Sequence, residues 1–128
     1  MPKPKKKKSN IKSLRDQAWA SFRGQVMTRD TDERGYCRCI SCDKVGLAEE
    51  FQAGHFDHGK DKENYYNLHN CHAQCVQCNY YGGTKTIKRY TMNMIRLYGE
   101  EETKKIDKSK RKYWNNKELQ EIIEYPLL

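Results

Sequence analysis

Two cysteine pairs and one short histidine-bearing stretch hold most of the reactive chemistry in this 128-residue sequence. Cys39-x2-Cys42 and Cys75-x2-Cys78 are tight CxxC turns. Each turn directs both sulfurs to one point, and tetrahedral zinc takes four thiolates delivered in such pairs. A site filled by four protein ligands leaves no position for a catalytic water, so this zinc is expected to staple the fold. Cys37 and Cys71 stand outside the pairs. Each reads as a small buried hydrophobe, and an alternative pairing of Cys37 with Cys42 stays open. Between the pairs lies AGHFDHGKD, residues 53–61, in which His55, Asp57 and His58 are close together. On extended backbone His55 and Asp57 point to one face and His58 to the other; a turn at Phe56 brings His58 in instead.

Taken in order, CISC, AGHF, the run Asn70-Cys71-His72-Ala73-Gln74-Cys75, and Cys78-Asn79 followed by glycines resemble the phage recombination proteins of the NinG, or Rap, family. More broadly they resemble the HNH, or ββα-metal, nucleases that carry a four-cysteine zinc site. The resemblance runs roughly from residue 37 to the Tyr98-Gly99 pair. It implies an α+β fold with a small zinc-stapled ββα-metal core, and a metal-dependent DNA endonuclease acting on branched DNA such as a Holliday junction or D-loop. It also implies a basic histidine at the end of the first hairpin strand and a metal ligand on the following helix. Phosphodiester hydrolysis needs a base for water and a hard cation for the developing charge, and a neutral imidazole serves as base near neutral pH.

Carried onto this chain, the resemblance makes His55 the base, Asn70 the residue that braces the hairpin and Asn79 a ligand of catalytic magnesium or manganese, with Asp57 and His58 as further metal-site or substrate-facing groups. An alignment to the endonuclease VII type of resolvase instead makes Asp57 the ligand and His58 the base. Gly54 departs from the broader HNH pattern, where many members carry an aspartate. His69 and His72 read as structural histidines.

Specific elements must position these groups. The stripe Ile11, Leu14, Ala18, Phe22 and Val26 predicts an amphipathic helix over 11–30. YCRCISCDKVG reads as a metal knuckle or hairpin, EEFQAGHF as a strand, and GKDKENYYNLHN as a polar loop passing into a second strand. CHAQCVQCNYYGG reads as a second knuckle. TKTIKRYTMNMIRLYG predicts a helix with Ile87, Tyr90, Met94 and Leu97 or Tyr98 on one face, stopped at Gly99. EEETKKIDKSKRK reads as a more exposed helix, and NNKELQEIIEY as a last one, capped by Asn115 or Asn116 and stopped by Pro126. The expected plan is a basic arm over 1–10 and one domain over 11–128, with the zinc and ββα core at 36–83 and C-terminal helices at 84–125.

A hydrophobic content of 36% is thin for this length, consistent with a metal replacing part of a core. The net charge is +8, but residues 1–12 hold six lysines and no acid, leaving +2 for the remainder. Lys5, Lys6, Lys7 and Lys8 suit phosphate contacts that are blind to sequence, and a solubilising tail accounts for them equally well. MPKPKKKK is followed by no apolar run of signal-peptide length, and no stretch approaches a membrane span, so a cytoplasmic protein with reduced thiols is expected, in the phage-infected host. The partner is expected to be DNA, and junction resolution makes a homodimer an expectation. A non-catalytic zinc module binding DNA junctions needs the cysteines and lysines but has no use for His55, Asp57 and Asn79 together. An RNA-binding knuckle wants exposed aromatics on a platform, which Tyr65, Tyr66, Tyr80 and Tyr81 supply only in part.

Overall fold

A computed structural model describes residues 13–127, so Ile11 and the lysines of the arm, Lys5 to Lys8 included, lie outside the described residues. Helix α1 (Leu14–Asp30) opens at Ser13, whose hydroxyl accepts from the Asp16 amide at 3.1 Å. It buries Ala18, Phe22 and Val26, the predicted stripe. A hairpin follows, β1 (Tyr36–Arg38) with β2 (Val45–Leu47), so CRCISCDK is both a knuckle and a hairpin turn.

A second antiparallel hairpin joins β3 (Phe51–His55) to β4 (Cys71–Cys75), with Phe51 opposite Cys75 and His55 opposite Cys71. The second strand therefore lies within CHAQC and not in the polar loop before it. Its residues are buried on both faces, so the alternation that marks a half-exposed strand is missing. On one face Cys71, Ala73 and Cys75 join apolar clusters; on the other His72 and Gln74 meet side-chain partners. Helix α2 (Val76–Tyr81) follows at once, giving a β-β-α order across residues 51–81.

Helix α3 (Thr84–Tyr98) buries Tyr90 and Met94, but Ile87 and Leu97 are 63% and 52% exposed, so the apolar face is narrower than the spacing predicts. Gly99, at φ +88°, ends α3 and begins α4 (Glu100–Asp107), a conformation that favours glycine. The exposed helix stops at Asp107, and residues 108–115 run back along the long β3–β4 loop. There Lys112 N–H donates to Asp61 O at 3.0 Å and Glu63 N–H to Lys110 O at 2.9 Å. Helix α5 (Asn116–Glu124) starts on a capping box between Asn115 and Glu118. It packs against α1 through Leu119 and Ile122.

The core has three parts. One lies between α1, α5 and the second hairpin, one around the paired cysteines with Phe51 and Ala73, and one between α3 and α4 at Tyr90, Met94 and Ile106. No helix among the described residues is long and apolar enough to cross a membrane.

Candidate active site and zinc-binding cysteines

Cys39 and Cys42 lie in the first hairpin's turn, while Cys75 ends β4 and Cys78 sits in the first turn of α2. The two turns bring all four sulfurs within 4.8 Å of one another, with Cys42 Sγ and Cys75 Sγ 3.7 Å apart. Zinc–sulfur bonds of about 2.3 Å in a tetrahedron require sulfurs about 3.8 Å apart, so the cluster has the size of a zinc site. Its backbone also suits thiolates. Cys39 Sγ accepts from the amides of Ser41 and Cys42 at 3.4 Å and of Cys75 at 3.3 Å, and Cys75 Sγ accepts from Cys78 N–H at 3.5 Å. Cys37 and Cys71 are buried and outside the group, which removes the Cys37–Cys42 pairing.

Alongside this cluster runs a cleft of about 110 Å³ whose walls include His55, His58, Asn79 and Tyr90. His55 ends β3, and its ring stacks on Tyr65 at 4.5 Å and Trp19 at 5.3 Å. Its Nε2–H donates to the Tyr65 carbonyl at 2.9 Å. That bond fixes the tautomer, because a carbonyl only accepts, and leaves Nδ1 with the lone pair. Burial lowers the His55 pKa below its ordinary value, with the Tyr65 bond opposing the shift, so the ring is neutral at neutral pH.

The chain turns at Phe56, so His58 swings into the cleft. Asp57, expected to share a site with His55, does not line it. Its carboxylate receives Lys62 Nζ at 3.4 Å, and its Oδ2 is buried without a hydrogen-bond partner. The reason is Asn70, which is fully buried. Asn70 Oδ1 accepts from Asp57 N–H at 2.7 Å, and its Nδ2 donates to Asp57 O and Asn64 O, both at 2.9 Å. With both backbone groups of Asp57 clamped, the loop carries Tyr65 O to His55. Asn70 thus ties the start of the β3–β4 loop at Asp57 to Asn64 within it.

Asn79, on α2, spends its Nδ2 on Gln52 Oε1 at 2.7 Å, which leaves its Oδ1 as an open acceptor. Gly54 sits where a Cβ would lie 2.0 Å from Gln74 Oε1, so this chain has no room for a carboxylate there. His72 is structural: Tyr90 O–H donates to Gly54 O at 2.7 Å, so His72 Nδ1–H donates to Tyr90 Oη at 3.2 Å and Nε2 accepts from Tyr98 O–H at 2.7 Å. Burial, reinforced by Arg29, lowers the His72 pKa to about 4. His69 stacks on Tyr98 at 4.0 Å. Beyond the cleft's wall, Lys85, Lys88 and Arg89 of α3 are exposed, as are Tyr80 and Tyr81 at 65% and 76%.

Sequence reasoning missed Tyr65, which acts through its backbone carbonyl and so leaves no side-chain signal. It also missed the bond of Gln52 to Asn79, and those of Tyr90 to Gly54 and His72, having placed Tyr90 only on an apolar helix face. No curated protein and no solved structure matches the chain. A family model described as "Bacteriophage Lambda NinG protein" matches residues 2–126, which extends the likeness well beyond the motifs at 37–99, into the basic arm and the C-terminal helices. The chain belongs to the bacteriophage lambda NinG family.

Proposed function

We propose that this protein is a metal-dependent DNA endonuclease of phage recombination that hydrolyses phosphodiester bonds in branched DNA, with an HNH-like ββα core. The observation that carries the reading is the setting of His55. It is a half-buried neutral imidazole at the end of β3, with Nε2–H held by the Tyr65 carbonyl, in one cleft with His58 and Asn79. A histidine whose first nitrogen is fixed and whose second is free is arranged as a general base.

In this reading His55 Nδ1 takes the proton from the attacking water. Asn70 keeps the loop, and hence the Tyr65 carbonyl, in register with the hairpin. Asn79 Oδ1 and the His58 ring are the cleft's available donors for a divalent cation. Few protein donors suffice, because magnesium and manganese keep waters and take phosphate oxygens from the substrate. When bound, the cation supplies charge stabilisation to the phosphate and the leaving 3′ oxygen. Asp57 supports the loop and stands outside the ligand set. The four cysteines hold structural zinc, fixing α2 and Asn79 against the second hairpin. Lys85, Lys88 and Arg89, with the basic arm, contact DNA phosphates. Two copies act together on a four-way junction, which has two strands to cut.

The test incubates zinc-loaded protein with branched, duplex and single-stranded DNA, in magnesium, manganese or chelator. Metal-dependent cutting of branched DNA, lost in His55→Ala, is expected. DNA that is bound yet uncut with every metal removes the enzyme and leaves a non-catalytic junction-binding role.

A further inference from the structure

Two of the rings that stack on His55, Trp19 and Tyr65, also line a second cavity, of about 270 Å³, which His55 itself does not line. Trp19 and Tyr65 give it one aromatic wall, the two rings side by side at 5.6 Å between centroids and tilted by 34°. Arg15 and Lys60 give it two cations, and Asp16 a carboxylate. Lys60 is exposed and makes no ion pair with any described residue. Trp19 lies beside the apolar stripe of α1 and is only partly buried, so packing alone leaves part of its indole uncovered.

An aromatic wall, cations at the rim and an acceptor for an exocyclic amine are the complement of a nucleobase with its flanking phosphates. The volume falls just below the ~300 Å³ at which drug-sized sites begin, which suits a single base. We propose that this cavity binds one unpaired nucleobase of the DNA substrate, stacked on Trp19 and Tyr65, with Arg15 and Lys60 on the adjoining phosphates. This deepens the endonuclease reading and rests on it for the identity of the polymer. Fully paired duplex has no base to give, so the cavity selects DNA with an unpaired nucleotide at a branch or flap. Because the same rings and the Tyr65 carbonyl hold His55, filling the cavity also tightens the base's position.

The experiment reads binding without cutting, using zinc-loaded full-length protein with calcium in place of magnesium. The DNAs carry 2-aminopurine, either unpaired in a flap or paired within a duplex of the same length. Expected are quenching of the unpaired 2-aminopurine and affinity for the flap at least tenfold above the duplex. Trp19→Leu is expected to lose about tenfold on the flap and little on the duplex, following the usual worth of one stacked base. Lys60→Glu, at an exposed position with no ion-pair partner among the described residues, weakens flap binding without threatening the fold. Equal affinity for flap and duplex overturns the proposal, as does quenching that survives in Trp19→Leu protein with its zinc intact. Failure of the endonuclease reading looks different: uncut DNA in magnesium or manganese, whatever the binding preference.

Discussion

Replacing Asn70 by alanine perturbs the loop that links the hairpin to the candidate base. Two backbone groups lose their partner, Asp57 N–H and Asp57 O, held at 2.7 and 2.9 Å, while Asn64 O loses one of its two bonds and keeps the one from Asn67 N–H at 3.2 Å. A buried backbone group left without a hydrogen bond costs about 1–3 kcal/mol. The loop is only partly buried, so the lower figure applies to each of the two groups, and the total is about 2 kcal/mol. Against a usual stability of roughly 5–15 kcal/mol this is a sizeable fraction, and for a chain of this size it lowers Tm by roughly 6–12 °C. The assay is urea or thermal unfolding of zinc-loaded protein, followed by the fluorescence of Trp19 and Trp114, with zinc concentration held constant. Asn70→Asp separates size from hydrogen bonding. It keeps an acceptor for Asp57 N–H, loses both donors, and places a carboxylate against two carbonyl oxygens, so it destabilises at least as much as alanine. A change under about 0.5 kcal/mol in either variant refutes the claim that Asn70 holds the loop.

Three further outcomes follow from the same geometry. Cys75→Ser removes one of four thiolates and should lower zinc content, measured by metal analysis, together with thermal stability. His72 is neutral when folded, with a pKa near 4 against about 6.5 unfolded, so the unfolded chain binds the extra proton between those values. Its contribution is fully present above pH 6.5 and is lost as pH falls toward 4, by about 3 kcal/mol in all; denaturant titrations that stay flat across that range contradict the assignment. For His55, whose pKa lies below its ordinary value, cleavage should rise on an acid limb with a midpoint under pH 6.5, read from single-turnover rates.

Local signals were legible where chemistry and backbone geometry coincide. The CxxC pairs, the α1 stripe at Ala18, Phe22 and Val26, the Gly99 stop and the Asn115 cap all appear in the sequence and in the structure. Strand β4 was misplaced because it is covered on both sides and places His72 and Gln74 inside on tyrosine and serine partners, so no period of two survives. The widths of helix faces were overread: Ile87 and Leu97 have helical spacing, yet no element covers them. The candidate site was half legible in the order of its motifs. His55, Asn70 and Asn79 could be named from their order, whereas the turn at Phe56 that exchanges Asp57 for His58 depends on Asn70 clamping a loop whose ends are far apart in sequence. A backbone acceptor such as Tyr65 O belongs to no residue type, so no sequence pattern announces it.

The central claim, that His55 is the base and His58 a cation donor, is tested most directly by single-turnover cleavage of branched DNA by His55→Ala and His58→Ala across a manganese titration. The account predicts that His58→Ala recovers much of the wild-type rate at high manganese, because a lost ligand weakens metal affinity. It also predicts that His55→Ala stays down by at least about 100-fold at every concentration, the usual worth of a general base. A His55→Ala protein that cuts at the wild-type rate contradicts it.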